Sequence, residues 1–236
     1  MSALEVAVTR RVGEFELDVS FAVESGISVL FGPSGAGKTL TLSLIAGLLR
    51  PDTGTITING HVVSDCERSL FVSTQERRIG MVFQDGLLLP HRTVLDNVAL
   101  AVRQRTARRE RRAMALSWLE RVGASQLADR RPGSLSGGQR QRVALARGLA
   151  GDPALVLLDE PLSSLDESVR RDLGDLIREV IVASGVPALL VTHDPDEAEK
   201  LGDVVIAYRE GRVVGSRPVE RTDRGPDGEG SEGEPT

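Results

Sequence analysis

Residues Ile27–Leu49 read ISVLFGPSGAGKTLTLSLIAGLL, and two kinds of local pattern meet in them across a glycine-rich bridge. ISVLF is a nearly continuous apolar run that ends in glycine, which is how a strand buried on both faces of a parallel sheet reads. From Lys38 the apolar residues recur at helical spacing, and the predicted helix Lys38–Leu49 stops before RPDTG, where Pro51 and Gly54 mark a turn. Between strand and helix, Gly32, Pro33, Ser34, Gly35, Ala36, Gly37, Lys38 and Thr39 fit G-x-x-x-x-G-K-T in the context that pattern needs. Glycines let backbone N–H groups turn toward phosphate oxygens, and the helix N-terminus adds positive potential. Lys38 supplies a mobile cation for the terminal phosphates and Thr39 a hydroxyl for Mg²⁺. The expected ligand is a nucleoside triphosphate.

Upstream, LEVAV and FELDVSFAV alternate apolar with polar residues and read as antiparallel strands. Downstream, TITINGHVV reads as two short strands around Asn59-Gly60, so a small antiparallel sheet is expected near the phosphate loop. RIGMVF (Arg78–Phe83) reads as the next core strand, and QDGLLLPHRT as a loop broken by Gly86 and Pro90. Val94 to about Val122 is helical in pattern and contains the basic run RQRTARRERR. That run fits an RNA or lipid patch or a solvated helix face, and the absence of interleaved aromatics for base stacking favours the second. ALVLLDEP (Ala154–Pro161) and PALLVTHD (Pro187–Asp194) are two further buried strands. A helix from Asp166 to Ser184 joins them, and this βαβ succession implies a parallel sheet. VVIAYREGRVVGS closes the fold as a hairpin at Glu210-Gly211. The expected class is therefore α/β: a parallel sheet carrying the phosphate loop, with a small antiparallel sheet nearby. One unit spans residues 1–218, followed by an acidic Gly/Pro tail over 219–236 with almost nothing to bury.

The composition narrows the function classes. The 236 residues are 40% hydrophobic and 27% charged, enough to build a real core, and the net charge of −5 gives no general attraction to nucleic acid or anionic lipid. No run approaches the length of a membrane span, and MSALEVAVTRRVGEF lacks the pattern of a secretory leader, so a cytoplasmic location is expected. Cys66 is the single cysteine and forms no disulfide within the chain.

Asp159 and Glu160 close the apolar run LVLLDE. In a P-loop protein the first acid holds the metal and the second accepts a proton from the attacking water. Strand alternation is expected to point the two side chains apart. LSGGQ supplies a second glycine loop, with Ser136, Gly137, Gly138 and Gln139 opening a helix but no lysine after them. It reads equally as an anion site or as a plain serine N-cap.

GPSGAGKT, LSGGQRQR, LVLLDEP, SSLD and VTHD, in this order and spacing, resemble the nucleotide-binding subunits of ABC transporters over about residues 1–215. The resemblance implies a P-loop NTPase fold with a RecA-like parallel core, an antiparallel β subdomain and a helical signature subdomain over about residues 86–150, in an ATP-hydrolysing, Mg²⁺-dependent subunit that works as a homodimer. ATP would lie between Gly32–Thr39 of one copy and Ser136–Gln139 of the other. It implies that Gln84 reaches the metal and the attacking water, that His193 contacts the γ-phosphate, and that Asp166 links the two sites across the interface. His61 and His91 match no motif. The resemblance further implies permease partners docked on the Gln84–Val94 loop through Leu87, Leu88, Leu89 and Pro90, with a self-packed loop as the alternative. It also implies an indirect link to a substrate-binding protein, no nucleic acid, and a peripheral place on the cytoplasmic face of the membrane. The family's adenine-stacking aromatic has no clear match, since Phe15 lies seventeen residues before Gly32 and reads as core, leaving Arg11 or Val12 as other base contacts.

The stretch LFVSTQERRIGMVFQDGLLLPHRTVLDNVAL is most similar to the molybdate-type importer subunits. These usually continue into a C-terminal regulatory β-domain, where this chain is expected to end in its tail. Importers of sulfate or thiosulfate, polyamines or iron are the alternatives, followed by a soluble ABC ATPase outside transport.

Overall fold

The computed structural model describes residues 2–102 and 106–220. Its strands form one eleven-stranded sheet in the order β6-β5-β4-β1-β2-β11-β10-β3-β9-β8-β7. The antiparallel side holds β1 (Leu4–Val12), β2 (Phe15–Val23), β4 (Thr53–Ile58), β5 (His61–Asp65) and β6 (Leu70–Phe71). The parallel side holds β3 (Ile27–Phe31), β7 (Ile79–Val82), β8 (Leu155–Asp159), β9 (Ala188–Thr192) and β10 (Val204–Arg209). The antiparallel sheet expected near the phosphate loop is continuous with the parallel core, because β11 (Arg212–Pro218) joins the halves. It pairs antiparallel with β10, lies parallel to β2 at Arg212 and Asp18, and the Asp18 N–H donates to the Gly211 carbonyl at 2.8 Å.

Both faces of the parallel strands are buried, as their apolar runs imply. Alternate residues feed two cores: Val156 and Leu158 pack on one side with α4 (Gly137–Ala150) and α5 (Glu167–Ser184), while Leu155 and Leu157 pack on the other with α1 (Lys38–Ala46). The helical pattern from Val94 to Val122 divides into α2 (Val94–Ala99) and α3 (Arg108–Arg121). Residues 103–105 of the basic run lie outside the described residues, while Arg108–Arg112 form the start of α3. Of the predicted tail, Val219 still donates to the Asp203 carbonyl at 2.9 Å, and residues 221–236 lie outside the described residues. No helix among the described residues is long and apolar enough to cross a membrane.

Helix α1 ends three residues before Leu49, at Ala46, because Gly47 turns left-handed at φ 76° and its N–H takes the Leu44 carbonyl. The Ile45 carbonyl, and the Leu44 carbonyl a second time, are met by a residue the sequence did not mark. Arg77, 3% exposed, donates from Nη1 to Leu44 O at 2.9 Å and Ile45 O at 2.8 Å, and from Nε to Val72 O at 3.0 Å. Burial pulls its pKa down to about 10, so it remains a cation at neutral pH. Arg77→Met is expected to cost about 3 kcal/mol, because it strands buried carbonyls at the end of the helix that carries Lys38 and Thr39. Urea unfolding with an unchanged m-value measures this.

Candidate nucleotide-binding site

The C-terminal ends of β3, β8 and β9 lie side by side, with Phe31 opposite Thr192 and Asp159 opposite Val191. In open α/β sheets this edge is where ligands bind. The loop from β3 to α1 curls there under tight constraint. Gly37 has φ 99°, and a Cβ on it would stand 2.7 Å from Leu17 Cδ1. A Cβ on Gly35, at φ 79°, would meet nothing within 4 Å and would project into the open space the loop borders.

Lys38 is 4% exposed, and its Nζ donates to the Gly32 carbonyl at 2.8 Å and the Pro33 carbonyl at 2.9 Å. Burial lowers its pKa, and the nearby Glu160 and Asp159 carboxylates oppose that shift. The ammonium is thus held inside the loop as a cation that a phosphate can draw out. Thr39 Oγ1 donates to Asp159 Oδ1 at 2.9 Å, which places hydroxyl and carboxylate oxygens together. Burial raises the Asp159 pKa, and the Thr39 hydrogen bond works against that rise.

Strand alternation does not separate Asp159 from Glu160. β8 ends at Asp159, and Glu160 turns out through a left-handed backbone at φ 44°, a strained conformation for a residue with a Cβ. Three hydrogen bonds hold the turn: Glu160 N–H to Val191 O at 3.1 Å, and Ser163 N–H and Oγ–H to the Glu160 carbonyl at 3.3 and 3.0 Å. The carboxylate is thereby brought to 3.3 Å from His193 Nδ1. His193 itself stands between two held neighbours. Thr192 Oγ1 donates to Glu197 Oε2 at 2.7 Å and accepts from the Asp194 N–H at 3.0 Å. Arg170 lies 3.7 Å from Asp194 and 3.8 Å from Glu197, and donates to Leu165 O at 3.3 Å, one residue before Asp166. Arg170, Thr192 and Glu197 escaped sequence reasoning, because charged and hydroxyl residues near helix ends are too common to carry a signal.

Ser136 does cap α4. Its Oγ accepts from the Gln139 N–H at 3.3 Å, and Gln139 Oε1 accepts from the Ser136 N–H at 3.0 Å, a complete capping box. Ser136 remains exposed, and Gly137 and Gly138 follow it into the first turn. Among the described residues, no hydrogen bond or ion pair joins Ser136–Gln139 to Lys38, Asp159, Glu160 or His193. Asp166 sits at the N-cap of α5, exposed and without a side-chain capping bond. Gln84 is held through its backbone: Gln141 Nε2 on α4 donates to the Phe83 carbonyl at 3.1 Å and to the Gln84 carbonyl. Arg147, also on α4, donates to Gly86 O at 2.8 Å and Leu87 O at 2.7 Å. Helix α4 therefore grips the loop after β7, through a glutamine and an arginine that the glycine motif overshadowed.

Phe15 is not a fully buried core residue. It packs half-buried on the second core beside the phosphate loop, its ring 3.1 Å from where a Gly37 Cβ would be, and lines a cavity of about 450 Å³ with Pro33–Ala36 and Arg212. Arg11 binds Asp52 through its N–H at 2.8 Å, and Val12 is half exposed; neither lines that cavity.

Comparisons with known proteins place the chain in a family. The family profile described as ABC transporter matches residues 17–163. The molybdenum import ATP-binding protein ModC of Mycobacterium tuberculosis (strain ATCC 25618 / H37Rv) is 42% identical over 225 residues, covering 93% of this chain and 60% of its own length. ModC of Mesorhizobium japonicum is 39% identical over 218 residues, covering 92% and 59%. This chain thus spans about 60% of the length of these relatives. Among solved structures, the dimeric post-hydrolysis state of the ATP-binding cassette MJ0796 bound to ADP and Pi superposes with a TM-score of 0.76 at 30% identity, covering 93% of this chain and all of that one. CbiO1 from Clostridium perfringens, part of the ABC transporter complex cbiONQ, gives 0.79 at 26% identity, covering 91% of this chain and 88% of its own. A strand-end site built on the phosphate loop, in a chain whose residues 17–163 fit the family profile, establishes that this protein belongs to the ABC transporter family.

Proposed function

We propose that this chain is the ATP-hydrolysing subunit of an importer, with molybdate as the transported anion. The observation that carries the hydrolytic part is the convergence of Lys38, the Thr39–Asp159 pair and the Glu160–His193 pair on three adjacent strand ends. The molybdate part rests on similarity to the ModC proteins.

The donor set fits Mg²⁺. Thr39 and Asp159 offer one hydroxyl and one carboxylate, and no cluster of three or more His, Cys, Asp or Glu among the described residues is arranged for a metal. Mg²⁺ commonly takes one or two protein oxygens and fills the rest from phosphates and water. When bound, held by Thr39 and Asp159, it would neutralise phosphate charge. Gln84 would enter that shell from the loop held by Gln141 and Arg147. Thr39→Ala is expected to raise the Mg²⁺ concentration for half-maximal hydrolysis about ten-fold, read by titrating Mg²⁺ at saturating ATP.

Glu160 orients and deprotonates the attacking water, and His193, fixed against Glu160, meets the γ-phosphate. Lys38 follows the β and γ phosphates, and the N–H groups of Gly32–Thr39 cradle them. Phe15 lies at the cavity beside this loop, where it offers its ring to the base. Ser136–Gln139 make no hydrogen bond to Lys38 or Thr39 within the chain, which supports a second copy supplying them to this nucleotide, with Asp166 running along the interface. Residues 1–218 act as one nucleotide-binding unit, and about 86–150 as the part that moves with the signature helix.

The permease docks on the Gln84–Val94 loop. Leu87 is 56% exposed, and Leu89 borders a groove of about 900 Å³ shared with Met81, Leu100 and Arg147; such apolar surface calls for a cover. The chain sits on the cytoplasmic face, in indirect contact with a substrate-binding protein. ATPase activity of the reconstituted complex with molybdate, tungstate or sulfate tests the reading. Stimulation by molybdate and tungstate is expected. Stimulation by sulfate alone would reassign the cargo, and an inactive complex that binds ATP would remove the hydrolytic role.

A further inference from the structure

The protein is acidic overall, with a net charge of −5, yet one cavity gathers the opposite sign. Arg92, Arg108, Arg111 and Arg112 line about 270 Å³ together with Asp96 and Leu100. Asp96 is the single acid among these lining residues, and Arg112 Nη1 meets it at 2.6 Å. Helix α3 begins here with Ala107 at its N-cap, no side-chain capping bond and one acid, Glu110, in its first turn against Arg108, Arg111 and Arg112, so the charge around its first N–H groups stays positive.

A second observation identifies the kind of ligand. Leu100 lines both this basic cavity and the neighbouring apolar groove of about 900 Å³, where Leu89 and Met81 also lie. One occupant can fill the groove with apolar side chains and reach the arginines with an acid. A lipid headgroup would use the arginines but leave Leu89, 37% exposed, and Leu100, 38% exposed, uncovered.

We propose that the Arg92–Arg108–Arg111–Arg112 cavity receives a side-chain carboxylate from the permease segment seated in the adjoining groove. This rests on the permease reading above and adds what selects the partner. The groove supplies buried area, which discriminates poorly between apolar segments. Guanidinium forks supply a directional contact that fixes register and rejects a segment carrying a cation or no acid at that place. Salt should weaken the complex more steeply than groove contacts alone would allow.

The test is the charge-reversed double variant Arg92→Glu/Arg108→Glu, examined as the full chain with its permease in detergent. Neither residue belongs to the hydrolytic machinery, so basal ATPase activity of the chain alone and its thermal unfolding should match the parent. Its affinity for the permease should fall about ten-fold or more at low salt, and an acid-to-arginine change in the permease segment that crosslinks to Leu89→Cys should restore it. An unchanged affinity would overturn the proposal. So would unchanged permease binding combined with lost binding to phosphatidylglycerol vesicles over phosphatidylcholine ones, which would assign the cavity to lipid. If the parent chain itself fails to bind a permease, the functional reading above fails instead.

Discussion

Glu160→Gln is expected to lower kcat by about a thousand-fold, the scale of a lost general base, while ATP binding is retained. The amide keeps the size of the side chain and its place beside His193 Nδ1, 3.3 Å away in the parent, but cannot take a proton from water. The left-handed turn at φ 44° that aims residue 160 is held by backbone bonds from Ser163 and to Val191, so the substitution should not disturb it. With chemistry blocked and binding intact, two copies should accumulate closed around two ATP molecules. Size-exclusion chromatography with ATP should then show a dimer that the parent shows only transiently. A variant that turns over ATP at the parent rate would remove Glu160 from the base role.

Ser136→Arg should also suppress hydrolysis, by a different route. Ser136 is exposed and its side chain pairs with Gln139 rather than with Lys38, capping α4. Loss of that cap costs about 1 kcal/mol, too little to unfold the subunit. A bulky cation where another copy's nucleotide should seat would nevertheless lower hydrolysis by at least about a hundred-fold, because the signature loop is expected to stabilise the transition-state charge. Monomeric ATP binding, followed by equilibrium dialysis, should be unchanged. Loss of monomer binding would place Ser136 in the site of its own chain.

These two cases also mark what was legible in the sequence. The strand, loop and helix from Ile27 to the end of α1 could be read directly, because apolar runs, glycine spacing and helical periodicity are local. The turn at Asn59-Gly60 was equally local, and both residues adopt positive φ. The conformation of Glu160 was not readable. A strand-terminal acid looks the same whether it continues the pleat or turns left-handed, and the bonds that turn it come from β9 and from Ser163. Arg77, Gln141 and Arg147 were missed for a related reason: each satisfies backbone carbonyls far away in sequence, and only the packed chain reveals which carbonyls lack donors. Phe15 does pack on the second core as expected, but its place at the rim beside the phosphate loop was not readable, because strand alternation cannot tell the rim of a core from its centre.

The central claim is that each nucleotide is served by two copies, and complementation tests it most directly. Lys38→Ala leaves a chain with an intact signature loop, and Ser136→Arg leaves one with an intact phosphate loop; each alone should be inactive. In a mixed dimer one site pairs both lesions and the other pairs both intact halves. An equal mixture should therefore regain about a quarter of the parent activity, since half the dimers are mixed and each has one working site. No recovery at any mixing ratio, with ATP still bound by the Ser136→Arg chain and mixed dimers present, would contradict a shared site.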